Sequence, residues 1–494
     1  MLDLLDWLVI AAYGLLLVSI ALICSRGQES TQSFFLANRK MSGFAVACSI
    51  IATEMSAATF IGVPSQFFKF SPELNQWVLA GSFIYLQFTF GSILGRILIA
   101  KLLLPAYYRF EVTTIYELFE IRFGKQTHLL GTLTFFVSRI LGSGSRLFII
   151  AFAASVIVGI PLGYSIIGVV LLALFYTWIG GIKAVIWTDV AQVFIFVGGA
   201  IISLFFIQKG IPGGFDTVMT RASEIDALRL FDFSFSFHNP FSFWVGIIGG
   251  MMGTMAGLGA DQDLTQRMLT CKTVESSQRS LISTGFLDFP IVALFLVIGL
   301  GLGVYFEFHQ GPKLDANRAA HFYPWFITHV LPSGVRGLLV SAMFAAAMSS
   351  LDSALSALGT SFSVDVAKKH FKKELSESEL LSVSKKSMLV FSVLIALVSW
   401  LCRFSEDNVL VLALKLPGFT LGGLLGLLLL ASLTKRGTEN GNLVALIVSV
   451  LVTIVLNVFD IVSFGWLVVF GTMSNFLVAF CFIPRHGISA ISKD

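Results

Sequence analysis

Apolar runs long enough to cross a bilayer recur along the whole chain, and they limit what it can fold into more than any other feature. A helix needs about 18–20 such residues to span a hydrocarbon layer about 30 Å thick. Spans are expected near 5–24, 43–67, 77–105, 127–159, 161–180, 183–208, 240–260, 279–305, 334–363, 384–402, 408–432, 442–460 and 463–484, thirteen in all. With 56% hydrophobic and only 13% charged residues, the chain falls in the membrane class and not among soluble multidomain proteins. The expected fold is an all-α integral membrane protein built as a single transmembrane domain over 1–494.

Several function classes drop out early. The five cysteines are scattered and form no C-x-x-C, so neither a disulfide framework nor a zinc site is indicated. The seven histidines show no metal-binding spacing. Gly299, Gly301 and Gly303 lie inside an apolar span, which argues against a nucleotide loop. The net charge of +4 comes from loops and not from an aromatic-interleaved basic stripe, so no nucleic acid partner is expected. Residues 2–24 carry acids and no basic leader, which favours a retained first helix over a cleaved signal. A membrane enzyme would need a nucleophile–base or metal constellation, and the sequence displays none.

Lys and Arg in the loops set the orientation. One set of loops holds 21 of them, including Lys101, Lys183, Arg267, Lys368 to Lys386 and Arg436, and the opposite set holds 8. The richer set is expected in the cytoplasm, with the N-terminus outside and the C-terminus inside a bacterial plasma membrane. The outer connections near 209–239 and 306–333 are expected to form short caps. Arg96, Arg139, Arg146 and Lys415 fall within spans.

Two polar clusters interrupt the apolar runs: Ala52-Thr53-Glu54-Met55-Ser56-Ala57-Ala58-Thr59 and Ser349-Ser350-Leu351-Asp352-Ser353. Polar groups at bilayer depth are costly unless they bind something, and these supply the oxygen ligands that a small cation takes. On a helix, Ser349, Asp352, Ser353 and Ser356 share one face. The 52–59 stretch reads as a helix break that frees carbonyls, tolerated where backbone lines a cavity. Glu54 is open to three uses: an ion pair with Lys415 or Arg146, a protonated carboxyl, or a ligand. Asp189 could pair with a nearby basic residue such as Lys183, and Asp288 beside Pro290 could serve a kink or a function. Gly249, Gly253 and Gly257 suggest a close helix-packing face, and with Asp261-Gln262-Asp263 a second broken span. Two interrupted spans in corresponding places point to an inverted-repeat carrier.

At these residues the chain resembles the sodium/solute symporter family, nearest to bacterial members of the sialic acid transporter-like branch. Tyr176-Thr177-Trp178-Ile179-Gly180-Gly181-Ile182-Lys183-Ala184, Trp187-Thr188-Asp189, Gln262 to Arg267 and Ala345 to Ser350 carry the likeness in order and spacing. The resemblance implies a five-plus-five inverted-repeat (LeuT-like) core at about 43–432, behind a first helix at 5–24 and ahead of two C-terminal helices at 442–484. It implies a sodium-coupled secondary active symporter that imports a small polar organic solute by alternating access. Sugars, sugar acids, amino acids and organic acids all remain open, and the runner-up is a proton-coupled or uncoupled carrier of the same fold. Carried over residue by residue, the main sodium site takes carbonyls of Ala52, Met55 and Ala346 with hydroxyls of Ser349 and Ser350. A second sodium site maps to Asp189, Ser349, Asp352 and Ser353, and solute contacts to Glu54, Ser56, Thr59, Gln87 and Arg146. The chain departs from that branch at Glu54, where it has a hydroxyl residue, and at Asp352, where it has a serine. Both add negative charge.

Overall fold

With no water in a bilayer core, the backbone of each apolar run must close its own hydrogen bonds, and helices do so within one segment. The computed structural model describes residues 2–25, 30–56, 58–73, 76–312, 319–370, 375–405 and 409–483. Ala57 and the loop charges Arg26, Lys313, Arg318, Lys372, Lys373, Arg485 and Lys493 lie outside the described residues. Nine helices among them are long and apolar enough to cross a membrane: Leu4–Ser25, Phe83–Arg109, Lys125–Ser155, Gly180–Gly210, Val274–Phe308, Val335–His370, Glu377–Cys402, Lys415–Leu433 and Glu439–Val458. Gly43–Glu54 and Thr59–Ser65 form one further span bent by 56°. Three shorter apolar helices, Leu162–Phe175, Val245–Gly259 and Phe464–Phe480, stand where the sequence pattern puts the other three expected spans.

The breaks have local causes. Leu162–Gly210 runs as one helix except at Gly181, whose φ of 55° and ψ of −167° belong to a region only glycine enters readily. The expected third span starts late, because Gln76–Leu79 pairs antiparallel with Phe68–Ser71 and the helical path resumes at Phe83. The tenth span starts early, at Glu377, where Ser376 and Glu379 form a reciprocal capping box. The two outer connections do carry short helices, Gly214–Glu224 and Phe322–His329. Arg221 binds Glu307 through two bonds of 2.7 and 2.8 Å and ties the first of these helices to the outer end of Val274–Phe308. Exposed Leu15, Ile23, Leu171, Phe205 and Ile447 give the bundle the apolar outer surface that lipid requires.

Candidate functional site: a cavity between two broken spans

The second span stops at Glu54 because Met55 turns out of the helix, with φ −75° and ψ 70°. That conformation is an inverse γ-turn, closed by the Ser56 N–H donating to the Glu54 carbonyl at 2.8 Å. In an unbroken helix the Ser56 N–H would serve Ala52, and the Thr59 N–H would serve Met55. Here the Thr59 N–H donates instead to Ser56, at 2.9 Å. The carbonyls of Ala52 and Met55 thus lose their helical donors, and these are two of the three carbonyls that the family resemblance implies for sodium. Short Thr and Ser side chains, which compete for backbone bonds, favour such a break.

The ninth span (Val335–Ser361) meets this break directly. Thr53 Oγ1 lies 3.2 Å from Ser349 Oγ, and Ser350 Oγ donates to the Thr53 carbonyl at 3.1 Å. Ala346, Ser349, Ser350 and Ser353 follow one helical face, all buried. Thr53 was not among the expected site residues, yet it touches both serines. Its place in the first polar cluster was the available signal. Ser353 donates back to the Ser349 carbonyl at 2.8 Å, and its backbone N–H donates to Asp352 Oδ1 at 2.5 Å.

Asp189 is fully buried beside this face. Its partner is Arg267 at 3.1 Å and not Lys183, with Ser49 donating to the same oxygen at 2.5 Å. Arg267 is also fully buried, which corrects its reading as a cytoplasmic loop charge. It sits in Gln262–Met268, the helix that follows the second break, and binds Asp263 at 2.7 Å. Asp263 in turn pairs with Arg139, which holds Asp261 at 3.0 Å. Asp352 lies within electrostatic reach of Arg267. Two arginines therefore pair with three aspartates, Asp352 and a third arginine, Arg146, lie within electrostatic reach of the group, and Asp189 Oδ1 has no hydrogen-bond partner among the described residues.

A cavity of about 280 Å³ lies between the two breaks, with Glu54, Thr59, Arg146, Asp288, Gly253 and Thr254 among its walls. A larger groove of about 520 Å³ opens beside exposed Phe44 and Leu287, and no residue of either break lines it. Glu54 accepts a bond from Arg96 at 2.5 Å, so its partner is neither Lys415 nor Arg146. Arg96 also pairs with Asp288 and donates to Ser92, and its Nε donates to Thr284 at 3.1 Å. It is fully buried, and all three of its nitrogens are engaged.

Gln87 does not line this cavity. Its amide donates to the carbonyls of Ile84 and Phe241 at 3.1 and 3.0 Å and accepts from the Asp232 N–H at 3.1 Å. It pins an outer loop to the third span instead of offering groups to a solute. The glycine stripe also divides. A Cβ on Gly249 would come within 2.8 Å of the Gly465 carbonyl, and one on neighbouring Gly250 within 3.0 Å of the Phe88 carbonyl, whereas Gly253 and Gly257 face open space. The second pair belongs to the cavity wall and not to a packing face.

The matches to known proteins bear on the family and the fold. The Sodium:solute symporter family profile covers residues 34–449. A sodium/sialic acid symporter of Proteus mirabilis is 27% identical, over 95% of this chain and 92% of its own length. The human sodium-coupled monocarboxylate transporter 1 is 29% identical, over 89% of this chain and 71% of its own. The solved structure of a substrate-bound, outward-open sodium-coupled sialic acid symporter superposes with a TM-score of 0.86 at 24% identity, covering 97% of both chains, and so shares the fold. A bundle of this architecture, two broken spans and a profile match over most of the chain lead to one conclusion: the protein belongs to the sodium:solute symporter family, as a multi-pass sodium-coupled symporter and not an enzyme.

Proposed function

We propose that the main sodium site lies where the second span breaks against the ninth, with carbonyls of Ala52, Met55 and Ala346 and hydroxyls of Ser349 and Ser350 as ligands. The observation that carries this reading is the diverted Ser56 and Thr59 N–H groups, which free two carbonyls beside two buried hydroxyls. Such an all-oxygen set suits a hard monovalent cation. A second sodium ion would sit at Asp189, Ser349, Asp352 and Ser353, where four aspartates outnumber the three arginines within reach and Asp189 Oδ1 lacks a hydrogen-bond partner among the described residues. The small organic solute would occupy the cavity against Glu54, Thr59 and Arg146, with Ser56 buried at the break and outside the cavity lining, and Gln87 as a positioning residue for the outer loop.

In this reading the N-terminus is outside and the C-terminus in the bacterial cytoplasm. The single transmembrane domain uses its core at about 43–432 to alternate access. Sodium entering from outside bridges second and ninth spans and holds the cavity in its solute-binding form, so each ligand favours the conformation that the other needs. Every inward sodium gains about 2.3 kcal/mol per 100 mV, more than tenfold accumulation at about 1.4 kcal/mol per decade. Removing one hydroxyl ligand, by Ser349→Ala or Ser350→Ala, should raise half-saturating sodium about tenfold in proteoliposome uptake. Unchanged sodium dependence in both variants would refute the site. Asp189→Asn should lower the sodium:solute ratio read from reversal potentials, and a ratio that stays put would remove the second site.

A further inference from the structure

The charges around the cavity do not cancel in place. On one wall Glu54 and Asp288 share the single guanidinium of Arg96, and both carboxylates line the cavity. Two acids against one base leave an excess of one negative charge there. Arg96 cannot turn toward a solute, because Thr284, Ser92, Glu54 and Asp288 occupy all of its nitrogens. Asp288 is only 5% exposed, and its Oδ1 has no hydrogen-bond partner among the described residues. A carboxylate oxygen buried without a donor is costly, so a cationic group that reaches Asp288 from the cavity would be stabilised there.

Elsewhere on the lining Arg146 makes no hydrogen bond or ion pair with any described residue, although Asp261, Asp263 and Glu54 lie within its electrostatic reach. A guanidinium in a low-dielectric site calls for an anion, and its planar fork fits a carboxylate by two parallel bonds. One compact solute can satisfy both features only by carrying a cation and an anion together. Phe88, Phe464 and Val468 complete the lining with apolar surface for a side chain. The cavity's 280 Å³ lies just under the 300–1,000 Å³ common for drug-sized ligands, which suits a small molecule.

From this charge closure we propose that the transported solute is a small zwitterion of the amino-acid class, with its ammonium on Asp288 and Glu54 and its carboxylate on Arg146. The proposal rests on the reading of this cavity as the solute site. A carboxylate with no amine would satisfy Arg146 but meet the acidic wall uncompensated. A neutral sugar would leave both charges unanswered. An amine with no carboxylate would leave Arg146 bare.

The test is a thermal-shift and competition screen of the purified full chain in sodium buffer. It uses the standard amino acids, their desamino carboxylates, their decarboxylated amines and a set of neutral sugars. At least one amino acid should stabilise the protein, with its desamino and decarboxylated analogues about 100-fold weaker or worse. In Asp288→Asn the desamino analogue should close to within about tenfold of the amino acid, and in Arg146→Gln the amine should do the same. Should Asp288→Asn not fold, Glu54→Gln removes the other acid while Arg96 keeps a partner. Failure of every amino acid to stabilise the protein overturns the zwitterion, whatever else binds. A bound carboxylate or sugar weakened by Thr59→Ala and Arg146→Gln would then keep the cavity as the solute site with another substrate. Binding indifferent to Thr59, Arg146, Glu54 and Asp288 would overturn the cavity reading itself.

Discussion

A guanidinium holding two carboxylates at bilayer depth is stable only while all three charges stay together. Arg96, Glu54 and Asp288 are such a set, drawn from the second, third and eighth spans. Removing the base alone strands two acids, so Arg96→Met should destabilise the protein by about 3–5 kcal/mol in detergent unfolding. The triple change Arg96→Met, Glu54→Gln, Asp288→Asn should recover most of that loss, because no charge is left unpaired. A triple variant as unstable as the single one would mean that Arg96 acts mainly through packing. Glu54 stood out in the sequence as an acid inside an apolar run. Its partner did not, since the pairing depends on how three helices are rotated about their axes, and no spacing rule reaches across 42 residues. Arg267 was misread for a related reason. Counting loop charges treats an arginine at a span's end as solvated, while this one lies buried among Asp189, Asp263 and Ser49.

At the scale of elements, glycine does two different jobs on facing helices. A Cβ on Gly91 would come within 2.2 Å of the Gly246 carbonyl, so the third span and Val245–Gly259 can approach only without it. A Cβ on Gly253 meets nothing within 4 Å. Gly91→Ala should therefore cut folded yield and lower the melting temperature. Gly253→Ala should melt like the native protein and lose solute affinity several-fold, with its sodium response intact. Equal melting temperatures for the two variants would contradict this division. The stripe was visible in the sequence, but which glycines pack and which line the cavity depends on the bend that follows at Ala260 and Asp261. The break after Glu54 was legible because its polar residues interrupt an apolar run. The γ-turn that frees the Ala52 and Met55 carbonyls is a backbone detail which no pattern of residue types specifies.

For the whole molecule, ion pairs tie the ends of separate spans together. Lys369 joins Glu120 on one face, while Arg336 binds Asp6 at 2.6 Å and Asp3 at 3.1 Å on the other. Cys481, just after the last helix, is exposed, and the other four cysteines are buried. With the C-terminus in the cytoplasm, an impermeant thiol reagent should label Cys481 in inverted vesicles and not in intact cells. Labelling from outside would reverse the topology. That the chain is a bundle of membrane-spanning helices was legible because lipid imposes a length on every crossing. The surplus of acids around the second and ninth spans became visible only when residues hundreds of positions apart met at one depth. In the proposed mechanism sodium links those two spans, and uptake into proteoliposomes under an imposed sodium gradient tests that link most directly. Accumulation in the wild type that collapses in a Ser349→Ala, Ser350→Ala double variant, and is restored in part by higher sodium, is the predicted result. Uptake that proceeds equally with potassium in place of sodium would contradict it.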